Sequence, residues 1–86
     1  MEVRGMNKSE ANVFLDCKGL NCPIPVVKIK KALDSMESGQ VLFAEVTDKG
    51  SKADIPALLK RTGNELLGAE EKENVFFFLI KKIKSK

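Results

Sequence analysis

Two prolines, Pro23 and Pro25, stand two residues apart in "LNCPIPVVKIKKAL" and divide the segment before them from the segment after. Each fixes its own φ and lacks an N–H, so neither suits the interior of a strand; the first turn of a helix, whose N–H groups have no partner anyway, accepts both. A helix therefore opens here. Downstream, Val26, Ile29, Leu33 and Met36 recur at spacings of three and four, Lys28, Lys31, Asp34 and Ser35 take the other face, and Gly39 offers a stop. Upstream, Val13, Leu15 and Cys17 alternate with Phe14 and Asp16 in the two-residue period of a strand, and "KGLN" supplies the turn between.

Similar punctuation marks the remaining elements. "VLFAEVT", Val41 to Thr47, is short, apolar and rich in strand formers, as a more central strand would be. Ser51 and Asp54 have capping-box spacing, which predicts a second helix with Ser51 as N-cap and Ile55, Leu58 and Leu59 on its apolar side, ending at Thr62 and Gly63. In that register Pro56 removes one backbone bond. "ELLGAEEKENVFFFLIKKI" holds two extended runs around Glu73 and Asn74, an antiparallel hairpin. The order β-α-β-α-β-β, with a parallel first β-α-β unit, predicts an α/β two-layer sandwich: a four-stranded mixed sheet with both helices on one face. The last strand is apolar on both sides, Phe76, Phe78 and Ile80 against Phe77 and Leu79. Either it is central, with its outer face shielded by neighbours, or that outer face docks a partner; the central position is the favoured reading.

A chain of 86 residues is one domain, and 43% apolar with 31% charged residues is the balance of a folded chain rather than a disordered one. The expected bounds are a loose arm over 1–12, the domain over 13–83 and a basic tail over 84–86. No apolar run approaches the ~20 residues of a membrane helix, and the first twelve residues lack a signal peptide's apolar stretch, which points to the cytoplasm. In that reducing compartment two cysteines are expected to be reactive or buried rather than crosslinked. There is no histidine, which excludes histidine triads, histidine metal sites and imidazole acid–base chemistry. Cys-x4-Cys alone gives half a zinc shell, so neither metal nor cofactor is implied. The net charge is 15 − 12 = +3, yet Lys81, Lys82, Lys84 and Lys86 crowd the last six residues, so the basicity reads as a tail. Without tyrosine or tryptophan to stack bases, nucleic-acid binding is disfavoured.

Cys22 is the candidate reactive group. In a parallel β-α-β unit, loops leaving the C-terminal ends of strands share one edge, so Cys22 and the "DKGS" turn, Asp48 to Ser51, should be neighbours. A thiol at a helix N-terminus meets unpaired N–H groups and the positive end of the macrodipole, which predicts a lowered pKa and a nucleophile at neutral pH. Pro23 biases Cys22 toward extended backbone, and Pro25 does the same to Ile24, holding the sulfur at the helix mouth. The bland alternative is a cysteine filling a small apolar gap, and on these residues alone the two readings stay level. Cys17, by its alternation with Val13 and Leu15, reads as structural, although a Cys17–Cys22 disulfide would close only a four-residue loop and make a redox device. Lys18, Asn21, Lys49 and Ser51 are candidates for positioning an incoming sulfur or partner, against the commoner role of solvated loop residues.

The stretch "LDCKGLNCPIPVVKIKKAL" resembles the start of the TusA/SirA-like sulfur-carrier family, whose hallmark is Cys-Pro-x-Pro opening the first helix after a strand and a Gly-Leu turn. The resemblance runs on through Gly39, the "DKGS" turn, "DIP" at Asp54 to Pro56, Gly63 and the closing hairpin with its basic end. It covers nearly everything after residue 12. It implies the β-α-β-α-β-β sandwich and a motif cysteine, here Cys22, that carries a persulfide sulfur between proteins. The donor would be a cysteine desulfurase or rhodanese-like protein and the acceptor a further sulfur-relay protein. The family's outlets include transfer-RNA thiolation, molybdenum-cofactor assembly, sulfur oxidation and selenium metabolism, and these residues do not separate them. The alternatives are a redox switch built on Cys17 and Cys22, or a non-enzymatic protein- or RNA-interaction domain.

Overall fold

The computed structural model describes residues 11–83. Six elements occur in the expected order: β1 (Val13–Cys17), α1 (Ile24–Ser35), β2 (Val41–Val46), α2 (Lys49–Thr62), β3 (Glu65–Lys72) and β4 (Val75–Lys81). Of the expected arm only Ala11 and Asn12 fall among the described residues, and the 84–86 tail lies outside them.

The strand order is β1-β2-β4-β3, with β1 parallel to β2 and β4 antiparallel to both its neighbours. The crossover through α2 therefore leaves room for one strand beside β2, and the hairpin returns β4 into it. Glu73 and Asn74 make that reversal in two residues, both at positive φ (52° and 68°), the backbone that a tight hairpin turn requires. This central placement explains why β4 is apolar on both sides. Phe76, Phe78 and Ile80 join Leu42, Ala44 and Val46 beneath the helices, which contribute Ile29, Leu33 and Met36 from α1 and Ile55, Leu58 and Leu59 from α2. Each such aliphatic side chain taken fully from water contributes about 1.5–3 kcal/mol. Both helices thus share one face of the mixed sheet, as the two-layer arrangement requires.

On the opposite face Phe77, Leu79 and Phe43 form a second cluster with Ala11, Val41 and Val75 packed against it, and the Phe43 and Phe77 rings stack with centroids 5.8 Å apart. Phe77 is 6% exposed and Leu79 4%. The favoured reading of a shielded central strand therefore fits this face, and the alternative docking surface on the outer side of the last strand is covered by neighbouring side chains. Phe14 of the edge strand β1 does reach solvent there, at 55%.

Three boundaries differ from the sequence expectation. Gly39 does not stop α1, which ends at Ser35 with an extended Met36 as its cap; Gly39 instead turns the chain at φ 91° and donates its N–H to the Lys82 carbonyl at 2.7 Å. Lys82 does not belong to a solvated tail. It is buried, and its Nζ donates to the carbonyl of Leu33 at 2.6 Å, which also accepts the Met36 N–H, placing a cation at the C-terminal end of α1. Nor is Ser51 the N-cap of α2. Asp48 caps that helix, its Oδ2 accepting from the Ser51 N–H at 3.0 Å, so Pro56 lies well inside the helix. At the far end of α2, Gly63 takes the left-handed conformation (φ 81°) and donates to the Leu59 carbonyl at 2.9 Å.

Candidate functional site

The sheet edge where β1 and β2 both end is built by two tight turns. After β1, the Leu20 N–H returns to the Cys17 carbonyl, Gly19 adopts φ 82°, and its N–H donates to the Thr47 hydroxyl just past β2 at 2.9 Å. That bond ties the loop carrying the motif cysteine to the strand that leads into α2. Asn21 then accepts from the Ile24 N–H at 2.9 Å, and Pro23 accepts the first helical bond, from Val27 at 3.0 Å. Pro25 is fully buried and anchors the first turn of α1 in the core, while Cys22, immediately before the Pro23 cap, is exposed. The Cys22–Pro23 peptide is cis.

As expected, Cys22 and the "DKGS" turn are neighbours. A Cβ built on Gly50 would stand 3.7 Å from the Cys22 Cβ and 3.1 Å from Asp48 Oδ2, so the backbone at 50 is approached from two sides. One turn further along α2, the Asp54 carboxylate accepts a hydrogen bond from Cys22 Sγ at 3.4 Å. This contact reverses the expected electrostatics. The hydrogen bond to Asp54, some loss of hydration and the negative charges of Asp54 and Asp48 together push the Cys22 thiol above its ordinary pKa. The direction is opposite to the lowering anticipated from the helix N-terminus.

The constellation is then an exposed thiol before a proline-opened helix, over a glycine and against a carboxylate from the neighbouring helix. The model of one family, described as Sulfurtransferase TusA, matches residues 13–82. This chain belongs to the TusA family. The sulfur carrier protein TusA of Allochromatium vinosum is 53% identical over 68 residues, 79% of this chain and 90% of that protein. The putative sulfur carrier protein YrkI of Bacillus subtilis is 46% identical over 73 residues, 85% of this chain and 97% of that one. Among solved structures, the SirA-like protein of Desulfitobacterium hafniense has a TM-score of 0.72 at 28% identity, covering 84% of this chain and 99% of its own.

In this TusA-family chain the four positioning candidates part company. Lys49 is exposed at the start of α2, and Asn21 is exposed beside Cys22. Lys18 is engaged elsewhere, its Nζ 2.6 Å from Glu45 Oε1 and 3.4 Å from Asp16 Oδ1. Ser51 is 0% exposed, its hydroxyl donating to Asp48 Oδ2 at 3.2 Å; it is part of the cap and cannot meet an incoming sulfur. Cys17 is fully buried in the main core, as its alternation predicted, and burial pushes its thiol pKa up. Both cysteines are free.

Asp54 and Gly50 are the site residues that sequence reasoning does not single out. Both stand in stretches of interest, but the capping-box spacing assigns Asp54 to Ser51, and the cap is made instead between Asp48 and Ser51. Ile24 and Val27, in the first turns of α1, are about half exposed. No described helix is long and apolar enough to cross a membrane.

Proposed function

We propose that this protein is a sulfur carrier that accepts a persulfide sulfur on Cys22 and passes it to an acceptor protein. The observation that carries the reading is the placement of Cys22: exposed, immediately before α1, and held by Pro23 and the buried Pro25 where another macromolecule's sulfur can approach it. In loading, the Cys22 sulfur displaces the donor cysteine from its outer sulfur. A new S–S bond forms on Cys22 as the donor's S–S bond breaks, and the proton lost by Cys22 ends on the donor thiolate. No oxidant, reductant or histidine is needed, because the leaving thiolate is competent by itself. A raised thiol pKa leaves a smaller ionised fraction at neutral pH, but the thiolate that does form is intrinsically the stronger nucleophile.

The partners are a protein bearing a persulfide, a cysteine desulfurase or rhodanese-like protein, and an acceptor cysteine on a relay protein, all in the cytoplasm. A redox switch on Cys17 and Cys22 is less well supported, since Cys17 is sealed in the core. The test is incubation with a cysteine desulfurase and cysteine in the absence of reductant, followed by intact mass. Wild type should gain sulfur and Cys22→Ser should not. An unmodified wild type, or a mutant that retains sulfur, rejects the carrier.

A further inference from the structure

Asp54 caps neither end of α2. The helix is capped by Asp48 at one end and Gly63 at the other, and the Asp54 side chain is turned across the gap between the helices toward the sulfur of Cys22. Asp48 stands on the same side, its Oδ2 within 3.1 Å of where a Gly50 Cβ would lie, and Gly50 itself faces the Cys22 Cβ. Among the described residues, the charged groups acting on the sulfur are these two carboxylates from α2 and its cap. From α1, Lys28 acts on Cys17.

Resting on the carrier reading above, we propose that Asp54 is a positioning residue that holds the unloaded Cys22 as a protonated thiol, with Asp48 as a weaker accomplice, so that the carrier is latent until a partner engages it. A carboxylate can accept a hydrogen bond from S–H but only repels a thiolate at the same place, so the protonated form is the one the geometry fits. The consequence separates the empty protein from the loaded one. In the unloaded state the S–H has an acceptor to point at. In the Cys22 persulfide the inner sulfur carries no proton, the contact to Asp54 has nothing to donate, and any charge on the outer sulfur is pushed away from α2 toward solvent and the acceptor. The same device slows adventitious alkylation or oxidation of the empty carrier, since both draw on thiolate.

The test is the pH dependence of Cys22 alkylation by iodoacetamide, read by peptide mass on the full chain. Wild type should show a midpoint above that of a cysteine in a short unstructured peptide. Asp54→Asn should move the midpoint down and speed alkylation at pH 7 severalfold, Asp54→Glu should restore much of the wild-type profile, and Asp48→Asn, which keeps a capping side chain, should move it less in the same direction. An Asp54→Asn profile that coincides with wild type or moves upward overturns the proposal. If that variant loses the native circular dichroism, Asp48→Asn carries the test, and an unmoved midpoint there overturns it equally. No sulfur donor is present in this experiment. The Asp54 role can therefore fail while carrier activity stands, and the carrier reading can fail on the Cys22→Ser loading test with this result untouched.

Discussion

At the residue scale, the two cysteines are raised in pKa for different reasons, and the difference is measurable. Cys22 is raised first by its hydrogen bond to Asp54, whereas Cys17 is raised by burial against the core. For Cys17 the linkage runs one way. The unfolded thiol ionises near the ordinary value of 9.0 and the folded one only at higher pH, so the stability gained by keeping it neutral is full below 9.0 and is lost as pH climbs toward the folded value. Urea midpoints recorded from neutral pH to above pH 9 should fall for wild type, and Cys17→Ala, though less stable throughout, should fall less steeply. Parallel slopes would mean that Cys17 ionises as readily in the fold as outside it. Gly50 makes a second prediction at this scale. Gly50→Val puts a branched side chain against Asp48 Oδ2 and the Cys22 Cβ, so sulfur loading should drop severalfold while the circular dichroism remains native. Loading at the wild-type rate would show that the Cys22 loop moves aside freely.

At the scale of the elements, the features legible in the sequence are those that periodicity and backbone chemistry dictate. The paired prolines open α1, Gly63 closes α2, and Glu73 with Asn74 turn the hairpin, because each answers a local demand on φ or on a missing N–H. The cap of α2 is not legible in this way. Asp48 and Ser51 are both good capping residues three positions apart, and only the tertiary fit, which turns the Ser51 hydroxyl inward onto Asp48, decides between them. That choice also places Asp54, and with it the electrostatics of Cys22. Lys82 is hidden for a related reason, since a lysine among lysines carries no mark of burial. Its bond to the Leu33 carbonyl joins the end of β4 to the end of α1. Lys82→Met keeps the apolar stem and removes the charged donor, while the Leu33 carbonyl retains its bond from the Met36 N–H, and should cost about 0.5–1.5 kcal/mol, read as a lower urea midpoint at neutral pH. An unchanged midpoint would make the contact incidental.

At the scale of the whole molecule, the succession of elements is readable from the chain, while their order across the sheet is not. Hydrophobic alternation tells which side of a strand is wet, and for β4 neither side is, which favours a central strand while leaving a docking strand open. The structure resolves this through Phe43 and Phe77, whose stacked rings cover each other on the side away from the helices. Phe77→Ala should accordingly behave as a core truncation, losing about 3–5 kcal/mol in a denaturant titration, rather than as the loss of a binding surface. A stable Phe77→Ala protein that failed only in sulfur transfer would restore the outer face as a partner site.

Because β4 is the last of the six elements to be made yet lies inside the sheet, the nascent chain has no finished sheet to fold into until that strand leaves the ribosome. Before then β3 lacks the one neighbour it pairs with, and β2 has only β1 beside it. The sulfur-bearing loop and its neighbours on α2 are thus made first, and the strand that completes the sheet beneath them comes last.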